Sequence, residues 1–217
     1  MTTLNPKLHE HRKGKRRVKK HLSASEVKTW NEDKMKWVQG YYYGEDIFAH
    51  IPILKEAMAQ GKKVHKILED YVNGVGDYGE YPNPLEIINE IDPDSKSIIS
   101  EQEFLVDLPG IPLKLKGFMD VTTDNTVIDY KNRYISPKRI KEGTLPAWNG
   151  QKKLETNYWI QSNLYAYAFY ELNKKRAKHV KFVEIRGGEY KIRDMDISRV
   201  DEVLELCKKL YKYEYEQ

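Results

Sequence analysis

A chain of 217 residues is long enough for one well-buried core, and 40% hydrophobic, 32% charged and 12% aromatic residues exclude disordered and fibrous classes. A single cysteine, Cys207, excludes an intrachain disulfide framework and a four-thiolate zinc or iron–sulfur site, so any metal must be held by oxygen and imidazole. The net charge of +4 is uneven: residues 7–21 carry eight Lys/Arg against Glu10, a local +7 that leaves the remainder at −3.

The first 21 residues read as a flexible basic arm. Such an arm gains affinity for a phosphate backbone through counterion release without a fold of its own; a solubilising or targeting tail is the alternative. No apolar run approaches the roughly 18 residues of a membrane span, and the N-terminus lacks the apolar stretch of a secretory signal. The expectation is a cytoplasmic protein without membrane association.

Leu22-Ser23-Ala24-Ser25-Glu26 predicts a helix start, with Ser23 as N-cap and Glu26 completing a capping box, and a helix running to about Gln39. A second helix begins at Pro52. Its apolar residues Ile53, Ala57, Val64, Ile67, Leu68 and Tyr71 recur at spacings of three and four until Asn73-Gly74. Residues 74–97, rich in Gly, Pro, Asp and Asn, predict a loop with a short helix over Pro84–Ile88 and the boundary between two lobes. Three strands follow, Ile98–Leu108, Leu113–Thr122 and Thr126–Asn132, separated by Pro109-Gly110 and Thr123-Asp124-Asn125, as an antiparallel meander. A long loop containing Pro137, Gly143, Pro146 and Gly150 leads to a helix from about Leu154 to Asn173. A strand over Val180–Arg186, paired with Tyr190–Arg193, and a helix from about Ser198 complete the chain.

The chemistry concentrates in Gly117-Phe118-Met119-Asp120 and Ile128-Asp129-Tyr130-Lys131. Residues i and i+2 of a strand share a face, so Asp129 and Lys131 project one way and Ile128 and Tyr130 the other, while the turn folds Asp120 back towards them. Two carboxylates among apolar strands are costly to bury unless a cation neutralises them, and oxygen ligands suit Mg²⁺ or Mn²⁺. For an arbitrary hairpin, solvent-facing aspartates with a surface lysine partner would be the ordinary explanation.

GxxD, eight intervening residues and then D-Y-K resembles the signature of the RecB-type branch of the PD-(D/E)XK nucleases. Three further pieces agree in order. Leu22-Ser23-Ala24-Ser25 resembles the segment opening that branch's nuclease domain, Gly61-Lys62-Lys63-Val64-His65 its glycine-to-histidine helix, and Gln161-Ser162-Asn163-Leu164-Tyr165 its QxxxY helix. The four-cysteine iron–sulfur set of many relatives is missing. The chain is thus similar to cluster-free members, among them mitochondrial genome-maintenance exonucleases and phage enzymes; a phage-encoded member would act in the host cytoplasm.

The resemblance implies an α/β fold with a restriction-endonuclease-like mixed central sheet flanked by helices and an N-terminal helical lobe. Residues 22–217 would be a single nuclease domain, with a helical lobe over about 22–97 and a sheet-containing core over about 98–217. It implies Mg²⁺ or Mn²⁺ held by His65, Asp120, Asp129 and the Tyr130 carbonyl, with Lys131 orienting the attacking water. Gln161 and Tyr165 would position Lys131 or the scissile phosphate, and Glu69, Glu101 and Glu103 would be outlying acids. Ser23, Ser25, Lys131, Gln161 and Tyr165 are further expected to meet nucleic acid. In the 133–153 loop, Lys138, Arg139, Lys141, Trp148, Lys152 and Lys153 offer cationic and stacking contacts to a single strand. The expected function is hydrolysis of DNA by an exonuclease acting on ends or single strands in replication, recombination or repair, with a helicase or recombination protein as partner. A catalytically silent nucleic-acid-binding protein on the same fold and a structure-specific or RNA-directed endonuclease stay open as alternatives.

Overall fold

A computed structural model describes residues 21–42 and 51–215; residues 1–20 of the expected basic arm lie outside them. Two residues, His21–Leu22, form β1, and Ser23 then caps α1 (Ala24–Glu32) by accepting the Glu26 amide at 3.2 Å. The single helix expected to Gln39 is interrupted at Asp33. Its backbone is extended (φ −152°), and its carboxylate accepts the amides of Met35 and Lys36, which starts α2 (Lys34–Trp37) and a π-helical turn at Val38–Tyr42. A side chain that caps so well competes with helix continuation, which periodicity does not register. Glu26 is buried and accepts the Trp37 indole N–H at 3.2 Å.

Next come α3 (Pro52–Val72) and α4 (Pro84–Ile91), with proline in the first turn of each and Asn83 capping the second. Strands β2 (Ile98–Asp107), β3 (Lys114–Thr123) and β4 (Thr126–Asn132) form the expected antiparallel meander. The 133–153 segment is less irregular than expected. Ser136 caps a short α5 (Pro137–Lys141), a start signal the sequence reading passed over, and α6 (Gln151–Asn173) begins three residues early. Strands β5 (His179–Arg186) and β6 (Glu189–Asp194) are joined through Gly187 at φ +58°, and α7 (Val200–Tyr215) ends the described chain.

The chain thus has the expected α/β class, a mixed sheet between helices with helices at its N-terminal end. The six-stranded sheet runs β1-β3-β4-β5-β6, with β2 on β3. Because α6 connects β4 to β5, those strands are parallel, as a long crossover requires. One sheet face packs against α1, α2, α6 and α7 through Trp30, Trp37, Phe104, Leu115, Leu164, Phe169, Phe182 and Leu210. The other carries α3 and α4, through Val64, Leu68, Ile87, Ile88, Val121, Ile128, Tyr130 and Val183. Helices of the 22–97 stretch therefore lie on both faces. Among the described residues no helix is long and apolar enough to cross a membrane.

Candidate active site

Strand β3 is shared along one edge. Its start pairs with β1 (His21↔Lys114, Leu22↔Leu115), and its end meets β4 only through Val121↔Ile128 and Thr122↔Val127. Between these pairings the edge of β3 has no strand partner among the described residues, and Asp120 lies at the point where β3 and β4 part. Its Oδ2 accepts the Tyr130 amide at 2.7 Å, so a side chain ties the diverging strand. Its Oδ1 lies 3.3 Å from Nδ1 of His65, supplied by α3. The row Met58, Gly61, His65, Leu68, Val72 reaches the sheet only in its second half: Leu68 is fully buried and Met58 exposed.

On the α6 face, Lys131 Nζ lies 2.5 Å from Asp129 Oδ2 and donates to Gln161 Oε1 at 3.0 Å. Gln161 Nε2 donates in turn to Asp129 Oδ1 at 3.1 Å and to the Tyr165 hydroxyl at 2.7 Å. Pleating places Ile128 and Tyr130 in the α3-side core, as expected from alternation. His65, Asp120, Asp129, Tyr130, Lys131, Gln161 and Tyr165, drawn from four elements, thus meet around the β3–β4 parting.

The electrostatics follow from burial. Desolvation raises the Asp129 carboxyl, against the pull of Lys131, and the Asp120 charge adds to the rise. Burial would lower Lys131, but the charge of Asp129, joined by Tyr158, the Asp129 contact and Asp120, carries it above its ordinary value and the amine stays protonated. Burial would also lower His65; its hydrogen bond to Asp120 and the charges of Asp120 and Asp129 carry it above 6.5 instead. Tyr165 is pushed well above its usual value by burial and then by Asp129 and Asp120. It is a hydrogen-bonding phenol here, not a phenolate.

Two residues join this set that sequence reasoning placed elsewhere. Tyr158, which lies inside the expected helix from about Leu154 to Asn173 without a role there, puts its ring 4.7 Å from Lys131 Nζ, with Phe182 at the same distance and Lys28 at 5.5 Å from the Tyr158 ring. Its spacing of three from Gln161 on one helix is the signal that identifies it. Glu101, read as an outlying acid, falls opposite Asp120, between the pairs Ser100↔Val121 and Gln102↔Met119, with a left-handed φ of +51°. For a non-glycine residue that backbone costs of order 1–3 kcal/mol. Glu101, Glu69 and His65 line a cleft of about 500 Å³ with Met58, Gly61, Lys62 and Lys66. Glu103 points to solvent and pairs with Lys116 at 2.8 Å.

The expected nucleic-acid contacts are scattered. Ser23 is spent on its cap, and exposed Ser25 lies 3.1 Å from it, Oγ to Oγ. Lys138, Arg139 and Lys152 are exposed and take no part in the cluster's bonds. Trp148 is engaged by Arg186 at 4.1 Å and Lys191 at 5.3 Å. Around it, Arg133, Arg186 and Arg193 donate to the carbonyls of Ala147, Pro146 and Asn149 at 3.0, 2.8 and 2.8 Å. Fully buried Glu184 lies 3.4 Å from Arg193 and 3.9 Å from Arg133, so this group pins the loop that precedes α6.

An imidazole and two carboxylates form a donor set of the kind that suits Mg²⁺ or Mn²⁺. Asp129 Oδ2 fits such a role: it is buried and, for all its closeness to Lys131, accepts no aligned hydrogen bond. Among the described residues no three His, Cys, Asp or Glu side chains converge on one point as they stand, because Tyr130 N–H and Lys131 hold the two aspartates.

No protein-family model matches the chain, and no curated protein matches it. Among solved structures, the crystal structure of SSO0001 aligns over 96% of this chain and 83% of that one, at 15% identity and a TM-score of 0.42. An alkaline exonuclease (LHK-Exo) from Laribacter hongkongensis aligns over 97% and 94%, at 13% identity and a TM-score of 0.42. Likenesses this distant assign no residue a role, and the site rests on its own geometry.

Proposed function

We propose that this chain is a divalent-metal-dependent nuclease of the PD-(D/E)XK superfamily, RecB-type and free of an iron–sulfur cluster, on a restriction-endonuclease-like core. Its substrate is DNA, hydrolysed as an exonuclease at ends or on single strands. The observation that carries this reading is the meeting of His65, Asp120, Asp129, Lys131 and Gln161, which come from four separate elements, around one parting between strands.

His65, Asp120, Asp129 and the Tyr130 carbonyl would hold Mg²⁺ or Mn²⁺, which when bound lowers the pKa of water and offsets charge growing on phosphate oxygens. Lys131, protonated, points an N–H at the attacking water or at a phosphate oxygen. Gln161 fixes that amine through its carbonyl oxygen, and Tyr165 fixes Gln161, so the two act as positioning groups. Tyr158 and Phe182 wall the amine from bulk water on its far side.

End-labelled linear and circular DNA, single- and double-stranded, incubated with Mg²⁺ or Mn²⁺, tests the reading. Only linear molecules should be consumed, and chelation should stop the reaction. Asp120→Ala, Asp129→Ala and Lys131→Ala should each lower the rate by roughly a thousandfold or more. Undiminished cleavage in chelator would sink the metal mechanism.

A further inference from the structure

The outer face of the β2–β3 hairpin exposes an aromatic ring. Phe118 is 46% exposed, whereas Phe104, on the strand beside it, is buried on the opposite face. Phe118 precedes Asp120 by two residues on one strand, so both side chains stand on the same sheet face, about 7 Å apart. That face is also where the catalytic cluster opens. His65 is 30% exposed and Asp120 12%, against 3% for Asp129, and the cleft beside His65 is on this side.

Along β3 the order on this face is Lys114, Lys116, Phe118, Asp120. The two lysines are bonded to carboxylates of β2, Asp107 at 2.9 Å and Glu103 at 2.8 Å. The strip leading to Asp120 is therefore close to neutral, and among the described residues its exposed apolar groups are the Phe118 ring and, beside Lys116, the aliphatic Leu105; of the two only the ring offers a flat face. An exposed ring flanked by neutralised charges holds a flat apolar partner better than a phosphate. On a surface that ends at a phosphodiester-hydrolysing centre, the flat partner is a base.

We propose that Phe118 is a stacking platform for an unpaired base next to the scissile phosphate, which makes the enzyme selective for single-stranded or frayed DNA. The inference rests on the nuclease reading above. A base stacked on the ring leaves the adjoining phosphate within reach of Asp120, whereas a base held in a duplex has both faces covered by its neighbours and cannot lie on it. Stacking tolerates any base and is nearly independent of salt, unlike contacts made by lysine and arginine.

The test is a two-by-two binding cycle in Ca²⁺, using the full chain and Phe118→Ala, each against a single-stranded oligonucleotide and an abasic strand of equal length. Wild type should bind the base-bearing strand roughly tenfold more tightly than the abasic one, and Phe118→Ala should close most of that gap at both low and high salt. Phe118→Trp should restore it. A loss that is equal on the two strands, or a gap unchanged by the substitution, would overturn the proposal. So would a wild-type dimer in sedimentation that Phe118→Ala dissociates, because the ring would then be covered by a second copy. If wild type neither binds nor cleaves any nucleic acid, it is the nuclease reading that fails; if it cleaves and the cycle shows no coupling, only the role of Phe118 fails.

Discussion

A methyl group added at Gly117 would stand 2.5 Å from Cζ of Phe104, with two more ring carbons at 3.0 and 3.3 Å. Phe104 is the cross-strand partner of Gly117, is 1% exposed, and meets the Tyr165 ring edge-on at 6.0 Å. The ring has no open side to move into, and relief to ordinary contact requires a shift of about 1 Å. Overpacking of this kind costs about 2 kcal/mol, which for a chain of this size lowers Tm by about 4–8 °C. The displaced ring also pushes Tyr165, hence Gln161 and the Lys131 amine, so kcat should fall more than KM rises. Urea unfolding and steady-state kinetics on Gly117→Ala measure both effects. Adding Phe104→Leu should recover at least about 1 kcal/mol relative to additivity. A Gly117→Ala protein within about 0.5 kcal/mol of wild type, with an additive double variant, would refute the proposed packing role of this glycine.

Three further outcomes are expected. His65 has a folded-state pKa above its ordinary 6.5, so its protonated form adds stability below that pH and the contribution is lost as pH rises through the raised value. In chelator, the melting-temperature difference between wild type and His65→Gln should therefore shrink from pH 6 to pH 9, while Mn²⁺ affinity measured by calorimetry grows over the same window as the proton leaves; a difference that stays constant would count against the Asp120 pairing. Gln161→Ala should lower kcat by roughly a hundredfold with little change in KM, since it orients Lys131 and is not proposed to hold the ion; a change confined to KM would make it a binding group. Deleting residues 1–20 should weaken DNA binding and reduce the slope of log affinity against log salt by roughly 3 to 4 if about four charges meet phosphates, and superimposable slopes would remove the arm from the DNA-binding surface.

Local signals made most elements and most of the candidate site readable. Ser23 and the prolines at residues 52 and 84 announce helix starts because caps and first-turn prolines act within a few residues. Strand alternation placed Asp129 and Lys131 on one face and Tyr130 on the other, as pleating demands. The break at Asp33 and the short helix at Pro137–Lys141 were missed because one cap outweighs a weak periodic pattern.

Sequence by itself therefore determined which residues to propose for the chemistry and which strand face Asp129, Tyr130 and Lys131 occupy, since both depend on residue type and on spacings of two or four. Only the tertiary structure decided that β1 and β4 share one edge of β3, opening the gap at which Asp120 reaches the Tyr130 amide and His65. It also decided that Tyr158 and Phe182 enclose Lys131, and that Trp148 is held by Arg186 and Lys191. Those contacts join residues 27 to 93 positions apart or depend on how strands diverge, and chain-local patterns hold no record of a pairing that is settled when distant elements pack.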